Sequence, residues 1–136
     1  MKLINQCKIL QFPQINDPRG ALTFIENSRQ IPFDIKRVYF LYDISSGATR
    51  AGHGHKKLQQ VLIAISGSFD VEVGDGFNKR KITLNRPFQG LYIPETLWRS
   101  IDNFSSGSVC LSLASDLYDE SDYFRKYEDF LAYRGV

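Results

Sequence analysis

The chain is sparing with the residues that most often announce a chemistry: two histidines, two cysteines, one tryptophan and one methionine among 136 residues. Cys7 and Cys110 stand alone, without zinc-finger spacing, so they are expected to be reduced, structural thiols. No apolar run exceeds five residues, as in Val61-Leu62-Ile63-Ala64-Ile65, far short of a membrane span. No run of lysine and arginine reaches five, and the net charge is only +2, so charge makes no case for a nucleic-acid partner. The densest basic cluster, Lys79-Arg80-Lys81, is expected on a solvated strand edge. Polar residues interrupt Met1-Lys2-Leu3-Ile4-Asn5-Gln6, which does not read as a secretion signal, and the expected compartment is the cytoplasm. There is no internal repeat, linker or low-complexity segment. With 43% apolar and 24% charged residues, one globular domain over 1–136 is expected.

Strand signals dominate what is present. Cys7–Phe12, Leu22–Glu26, Arg37–Tyr42, Gln60–Ser66, Phe69–Val73, Lys81–Leu84, Gly90–Ile93 and Val109–Ala114 are β-branched or aromatic-rich and bounded by turn formers. Ser66-Gly67-Ser68 and Gly74-Asp75-Gly76 are expected to turn one strand back on the next. From Ser121 onward, Tyr123, Phe124, Tyr127, Phe130 and Leu131 recur at helical spacing, with Asp119 or Ser121 as the cap. The expectation is an all-β sandwich or jelly roll closed by a short C-terminal helix, the aromatic stripe serving as core.

The two histidines, His53 and His55, lie one residue apart, so an extended backbone points both imidazoles to one face. Around them, Gly47-x5-His53-x-His55-x4-Gln60-x6-Gly67 resembles the first motif of the cupin superfamily, with Gln60 where the motif has glutamate. Pro94-x-Thr96-x2-Arg99-x3-Asn103 resembles the second, with Arg99 where the third histidine belongs. Arginine is cationic and has no acceptor, so it cannot ligate a metal ion. Gln60 supplies only a neutral carbonyl. The expected site holds no metal and suits an anionic or carbonyl-bearing ligand. Inert histidines in a loop are the alternative, weighed against a vicinity rich in Arg19, Arg37, Arg50, Lys56, Arg99, Tyr39, Tyr92 and Trp98. Arginine is shaped for bidentate phosphate contacts and aromatic faces for stacking. In the segment 37–42, Arg37, Tyr39 and Leu41 share one face and Val38, Phe40 and Tyr42 the other, and alternation alone leaves open which faces inward.

Longer matches run through nearly the whole chain. Asp17-Pro18-Arg19-Gly20-Ala21-Leu22, Ile31-Pro32-Phe33-Asp34-Ile35-Lys36-Arg37-Val38-Tyr39, Arg50-Ala51-Gly52-His53-Gly54-His55-Lys56-Lys57, Gly90-Leu91-Tyr92-Ile93-Pro94 and the run from Leu113 to Tyr123 resemble the nucleotide-sugar 3,4-ketoisomerases, the WxcM-like cupins. The usual Arg-Gly-x-His-Ala-His of that family stands here with Ala51 and Gly54 exchanged for its glycine and alanine. The resemblance implies a double-stranded β-helix, no cofactor, and a homodimer exchanging N-terminal strands. It implies conversion of dTDP-4-keto-6-deoxy-D-glucose to a 3-keto isomer through an enediol(ate), on the way to 3-amino-3,6-dideoxy sugars of surface glycans.

Under that resemblance His53 and His55 are the proton carriers and Tyr39 moves a proton at oxygen. Arg99 steadies the oxyanion beside Gln60, Arg19, Arg37, Arg50 and Lys56 meet the diphosphate, and Trp98 or Tyr92 packs on the ligand. The pairing of Arg19 with Arg99 mixes the two patterns that accompany galacto and gluco products in the family. The rivals are a dTDP-sugar 3,5-epimerase, which lacks a counterpart of His55, a nucleotide-sugar sensor without turnover, and a metal-dependent dioxygenase, disfavoured by Gln60 and Arg99.

Overall fold

A computed structural model describes residues 1–136. Its strands are β1 (Lys8–Gln11), β2 (Gln14–Asp17), β3 (Gly20–Thr23), β4 (Arg37–Leu41), β5 (Arg50–His55) and β6 (Gln60–Ser66), then β7 (Phe69–Gly74), β8 (Lys79–Leu84), β9 (Gln89–Ile93), β10 (Trp98–Asp102), β11 (Val109–Ala114) and β12 (Tyr123–Phe124). One helix, α1 (Tyr127–Arg134), follows. Two antiparallel five-stranded sheets, ordered β1-β9-β6-β11-β4 and β12-β5-β10-β7-β8, form the jelly roll, and β2 and β3 make a separate hairpin. No helix is long and apolar enough to cross a membrane.

The unbroken apolar run of β6 has a physical cause, because the first sheet is covered on both faces. Leu62 and Ala64 point between the sheets, into a core with Phe69, Val71, Val73, Leu91, Ile93, Ile101 and Cys110. Val61 and Ile63 point the other way, into a second core with Phe12, Ile31, Phe33 and Leu113. The segment carrying Ile31 and Phe33 therefore acts as a cover, although it has no strand of its own. Both cysteines are buried and free. Lys79, Arg80 and Lys81 are exposed on β8, an edge strand, where charge discourages pairing with another chain.

Four strands escape the sequence pattern: β2, β5, β10 and β12. Gly, Arg and His dilute β5, and β2 is polar and fully exposed, so neither carries an apolar alternation. The Ser66-Gly67-Ser68 turn also differs from expectation. It does not fold β6 back on β7 but carries the chain from the first sheet to the second. Gly67 adopts φ +69°, and a Cβ there would lie 2.9 Å from Ser108 backbone, so only glycine fits this corner. The Gly74-Asp75-Gly76 turn does join a hairpin, β7 with β8.

The C-terminal expectation needs the larger correction. Helix starts only at Tyr127, with Lys126 rather than Asp119 or Ser121 at its N-cap. Asp119 instead accepts from the backbone and hydroxyl of Ser121 and closes a single 3₁₀ turn, Glu120–Asp122. Tyr123 and Phe124 are strand, paired with His55 and Gly54, so they face opposite sides where a helix would have placed them on neighbouring ones. Phe124 packs under α1 against Phe130, while Tyr123 turns toward the histidines.

Asp75 fastens one end of the sandwich. Its carboxylate takes the backbone N–H of Ile4, Phe77 and Asn78 at 3.1, 2.9 and 2.8 Å. Burial by itself would raise its pKa, but these donors hold it below the usual carboxylate range. Asp75→Ala should cost roughly 2–3 kcal/mol at neutral pH, since three donors lose a charged acceptor. That contribution is present above the unfolded-state pKa and disappears as pH falls through the depressed folded value. Urea unfolding of both proteins should therefore show the gap closing toward pH 3, and a gap independent of pH would exclude the ionised carboxylate as its source.

Candidate active site

A cavity of about 440 Å³ lies between the sheets. Its walls come from β4, β6 and β11 on one side and β5, β10 and β12 on the other, and they include Arg37, Tyr39, His53, Gln60 and Tyr123. The alternation left open on β4 is thereby decided: Arg37, Tyr39 and Leu41 face the cavity, and Val38, Phe40 and Tyr42 face solvent.

His53 and His55 lie in strand β5, not in a loop, with both rings buried and 4.8 Å apart in an edge-on arrangement. His53 lines the cavity, whereas His55 is fully buried behind it. Gly54 between them has no room to spare, because a Cβ would meet Leu97 O at 3.1 Å and the Phe130 ring at 3.3 Å. Burial first, then the positive charge of Arg99, pushes the pKa of His53 from 6.5 down to about 3, and the same causes push His55 further down. Both imidazoles are thus neutral at physiological pH, the form able to accept a proton.

Arg99 sits opposite His53 in the β5–β10 register and is completely buried. Its Nη1 donates to Gln60 Oε1 at 2.6 Å and its Nη2 to Leu97 O at 3.1 Å. No carboxylate lies within ion-pair distance of Arg99. Burial lowers its pKa to about 10, which leaves it cationic at neutral pH. Gln60 passes the order on: its Nε2 donates to Tyr39 Oη at 2.6 Å and to Ser112 Oγ at 2.7 Å. The Tyr39 hydroxyl therefore receives a hydrogen bond and gives its own proton to no protein group. This donor set does not fit a metal ion. A guanidinium occupies the third histidine's place and already consumes the only carbonyl Gln60 could offer.

Cations gather toward the opening. Arg37 lies against the rings of Tyr39 and Tyr118, and its Nη2 donates to Tyr123 Oη at 3.4 Å. Arg50 and Arg125 are exposed and border the cavity, and Arg125 lies 4.0 Å from the Tyr123 ring centroid while paired with Glu120.

Of the residues singled out in the sequence, the fold brings Tyr39, His53, His55, Gln60, Arg99, Arg37 and Arg50 together. Four stand apart. Trp98 neighbours the inward Arg99, so alternation turns it outward onto Tyr127 and Phe130 of α1. Tyr92 faces the second core and donates to Gln59. Lys56 is exposed, donating to Ser121 O over the Phe124 ring. Arg19 is exposed at the β2–β3 turn and bonds only Asp17. Sequence reasoning missed Ser112, Asp122, Tyr123 and Arg125; only the run ending Asp122-Tyr123 carried a signal, and it was absorbed into a helical period.

This is the interior of a cupin fitted for small-molecule acid–base chemistry rather than metal binding. The FdtA (WxcM-like, C-terminal) family model matches residues 5–135, and the chain belongs to that family. The TDP-4-oxo-6-deoxy-alpha-D-glucose-3,4-oxoisomerase of Aneurinibacillus thermoaerophilus is 45% identical over 126 residues, 93% of this chain and 91% of that one. The WlaRB TDP-quinovose 3,4-ketoisomerase of Campylobacter jejuni is 50% identical, with TM-score 0.90 over 95% of this chain and 99% of that one. The QdtA 3,4-ketoisomerase of Thermoanaerobacterium thermosaccharolyticum, solved with TDP, is 41% identical, with TM-score 0.95 over 98% and 97%. A variant of it was solved with TDP-4-keto-6-deoxyglucose, at TM-score 0.92 over 94% and 93%. A dTDP-4-dehydrorhamnose 3,5-epimerase of Bacillus anthracis shares the fold at 15% identity. The chain is an isomerase of the 3,4-ketoisomerase kind.

The buried, neutral histidines make acid stability a readout of the site. Below 6.5 the unfolded chain binds protons that folded His53 refuses until about pH 3, so stability falls as pH drops through that window. His53→Asn should gain stability relative to the parent as pH falls from 7 to 4, measured by urea midpoints. A constant difference would mean that His53 titrates normally in the fold.

Proposed function

We propose that the chain converts TDP-4-keto-6-deoxyglucose to its 3-keto isomer, and the observation that carries this reading is a cavity faced by a neutral imidazole from one sheet and an unengaged phenol proton from the other, with a buried guanidinium, unpaired with any carboxylate, bonded to the Gln60 that lines it. His53 removes the proton on C3, which the neighbouring C4 carbonyl acidifies. The electron pair forms the C3–C4 double bond and charge moves to O4. Arg99, acting with Gln60, lowers the energy of that oxyanion, an interaction strongest in a water-poor interior. Tyr39 carries a proton from O3 to O4, and a proton returned to C4 leaves the ketone at C3. His55 supports His53 as the second proton carrier. General base catalysis of this kind contributes about 10²–10⁴-fold. Arg37, Arg50 and Arg125 hold the diphosphate at the opening through charge-assisted contacts. The work is cytoplasmic, and the ketone product is suited to amination on the route to amino-deoxy sugars of surface glycans.

Incubation with TDP-4-keto-6-deoxyglucose in D₂O, followed by NMR, should give the 3-keto sugar with deuterium at C4. His53→Asn and His55→Asn should lose at least about 10²-fold in turnover while still binding TDP. Deuterium entering C5 would make the enzyme an epimerase, and unchanged substrate despite tight binding would make it a sensor.

The reading includes a homodimer with exchanged N-terminal strands. The β2–β3 hairpin is exposed almost throughout, with Ile15 and Leu22 paired across it, and β4 presents Val38, Phe40 and Tyr42 to solvent. Apolar side chains in such number on an arm and an edge strand suit burial against a second copy. Exchange of the hairpin would carry Arg19 to the partner's cavity, which accounts for its distance from its own. Mixing inactive Arg19→Ala with inactive His53→Asn after joint refolding should then restore about a quarter of the parent rate, since half the dimers are mixed and each has one intact site. No recovery would place Arg19 in the service of its own chain, and a fully active Arg19→Ala would remove it from the site.

A further inference from the structure

Asp122 and Asp75 are the only buried carboxylates, and Asp122 lies beside the histidine pair. Its Oδ2 is 3.2 Å from His55 Nδ1 and also accepts the Leu58 N–H at 3.1 Å, and its Oδ1 accepts the Lys57 N–H at 2.8 Å. Its backbone is pinned as well, with N donating to Asp119 O and O accepting from Lys56 N, both at 3.0 Å. A carboxylate already filled with backbone donors acts as an acceptor, so the His55 Nδ1 across from it is the donor. A neutral imidazole protonated at Nδ1 carries its lone pair on Nε2. In His55 that atom is buried and has no partner. Around the ring stand Tyr123, at 4.3 Å between centroids, and His53.

We propose that Asp122 is a positioning residue of the isomerase: it fixes His55 in the Nδ1–H tautomer and so keeps the Nε2 acceptor available on the inner side of the site, beside His53. This rests on the reading of His55 as a proton carrier. The geometry resembles other buried Asp–His pairs in its logic, where the carboxylate sets tautomer and ring orientation without taking the proton itself. A purely structural Asp122 would do no more than tie down the Lys56–Leu58 segment, and the two roles differ in what they ask of the imidazole.

With two histidines in the chain, four ring nitrogens appear in a long-range ¹H–¹⁵N spectrum of histidine-labelled protein, and His53→Asn assigns them. His55 should be protonated at Nδ1 and bare at Nε2. Asp122→Asn should move His55 toward the other tautomer, leave the His53 signals in place, and lower kcat by about 10²–10⁴-fold with KM little changed. A wild-type His55 protonated at Nε2 overturns the proposal, even if the variant fails to fold. An unchanged tautomer in Asp122→Asn, or a loss expressed in KM alone, overturns it as well. Full activity of His55→Asn would instead sink the proton-carrier role of His55, and the spectrum would still report whether Asp122 sets its tautomer.

Discussion

The interior is organised by one buried contact, Arg99 Nη1 to Gln60 Oε1 at 2.6 Å. A guanidinium without a carboxylate partner is costly to bury, and its donors must be met locally. Gln60 meets Nη1 and the Leu97 carbonyl meets Nη2, while Nε is left without a partner, and in accepting from Nη1 Gln60 is oriented so that its amide donates to Tyr39 and Ser112. Burial first, and then the same uncompensated charge, keeps both histidines neutral, since a second cation nearby would be repelled. One substitution pair relative to the cupin frame thus sets the charge state, the tyrosine's hydrogen-bond direction and the exclusion of metal together.

The backbone around this network holds conformations that its residues do not favour. Ala51 takes φ +59° where the family pattern has glycine, and Thr96 takes φ +66° where the cupin motif has glycine. Such positions cost about 1–3 kcal/mol each and persist only when neighbours over-determine them. Thr96 is held on three sides: its N–H donates to His55 O, its Oγ1 accepts from Lys2 N, and Arg134 donates to its carbonyl. Both chain ends are thereby tied to the strand that carries the histidines. Asn103, at φ +54°, is the motif asparagine in a conformation that asparagine tolerates well.

Much of this was legible in the residues. The β class, the outer limits of β6 and β11, the inward pairing of His53 with His55 and the loss of metal ligation follow from alternation, spacing and the chemistry of arginine. Legibility failed where a residue's role depends on a distant partner. Trp98 and Tyr92 have the aromatic surface a ligand site could use, but strand parity turns Trp98 onto Phe130 and Tyr92 onto the second core. Tyr123 and Phe124 fit a helical period with Tyr127 and Phe130, yet pairing with β5 makes them strand, because main-chain bonds to His55 and Gly54 outweigh a weak periodic preference.

By itself, then, the sequence determined which groups are available: two imidazoles on one face, a phenol, an amide and a guanidinium in a frame that cannot hold a cation. Those are properties of residue type and period, which survive without coordinates. Tertiary structure alone decided their ranks. It put His53 at the cavity and His55 behind it, brought Asp122 across 67 residues of chain to the second ring, and left Arg19 outside its own chain's cavity. Depth, donor direction and long-range partners are set by how the two sheets close on each other, and no local stretch of sequence contains that closure.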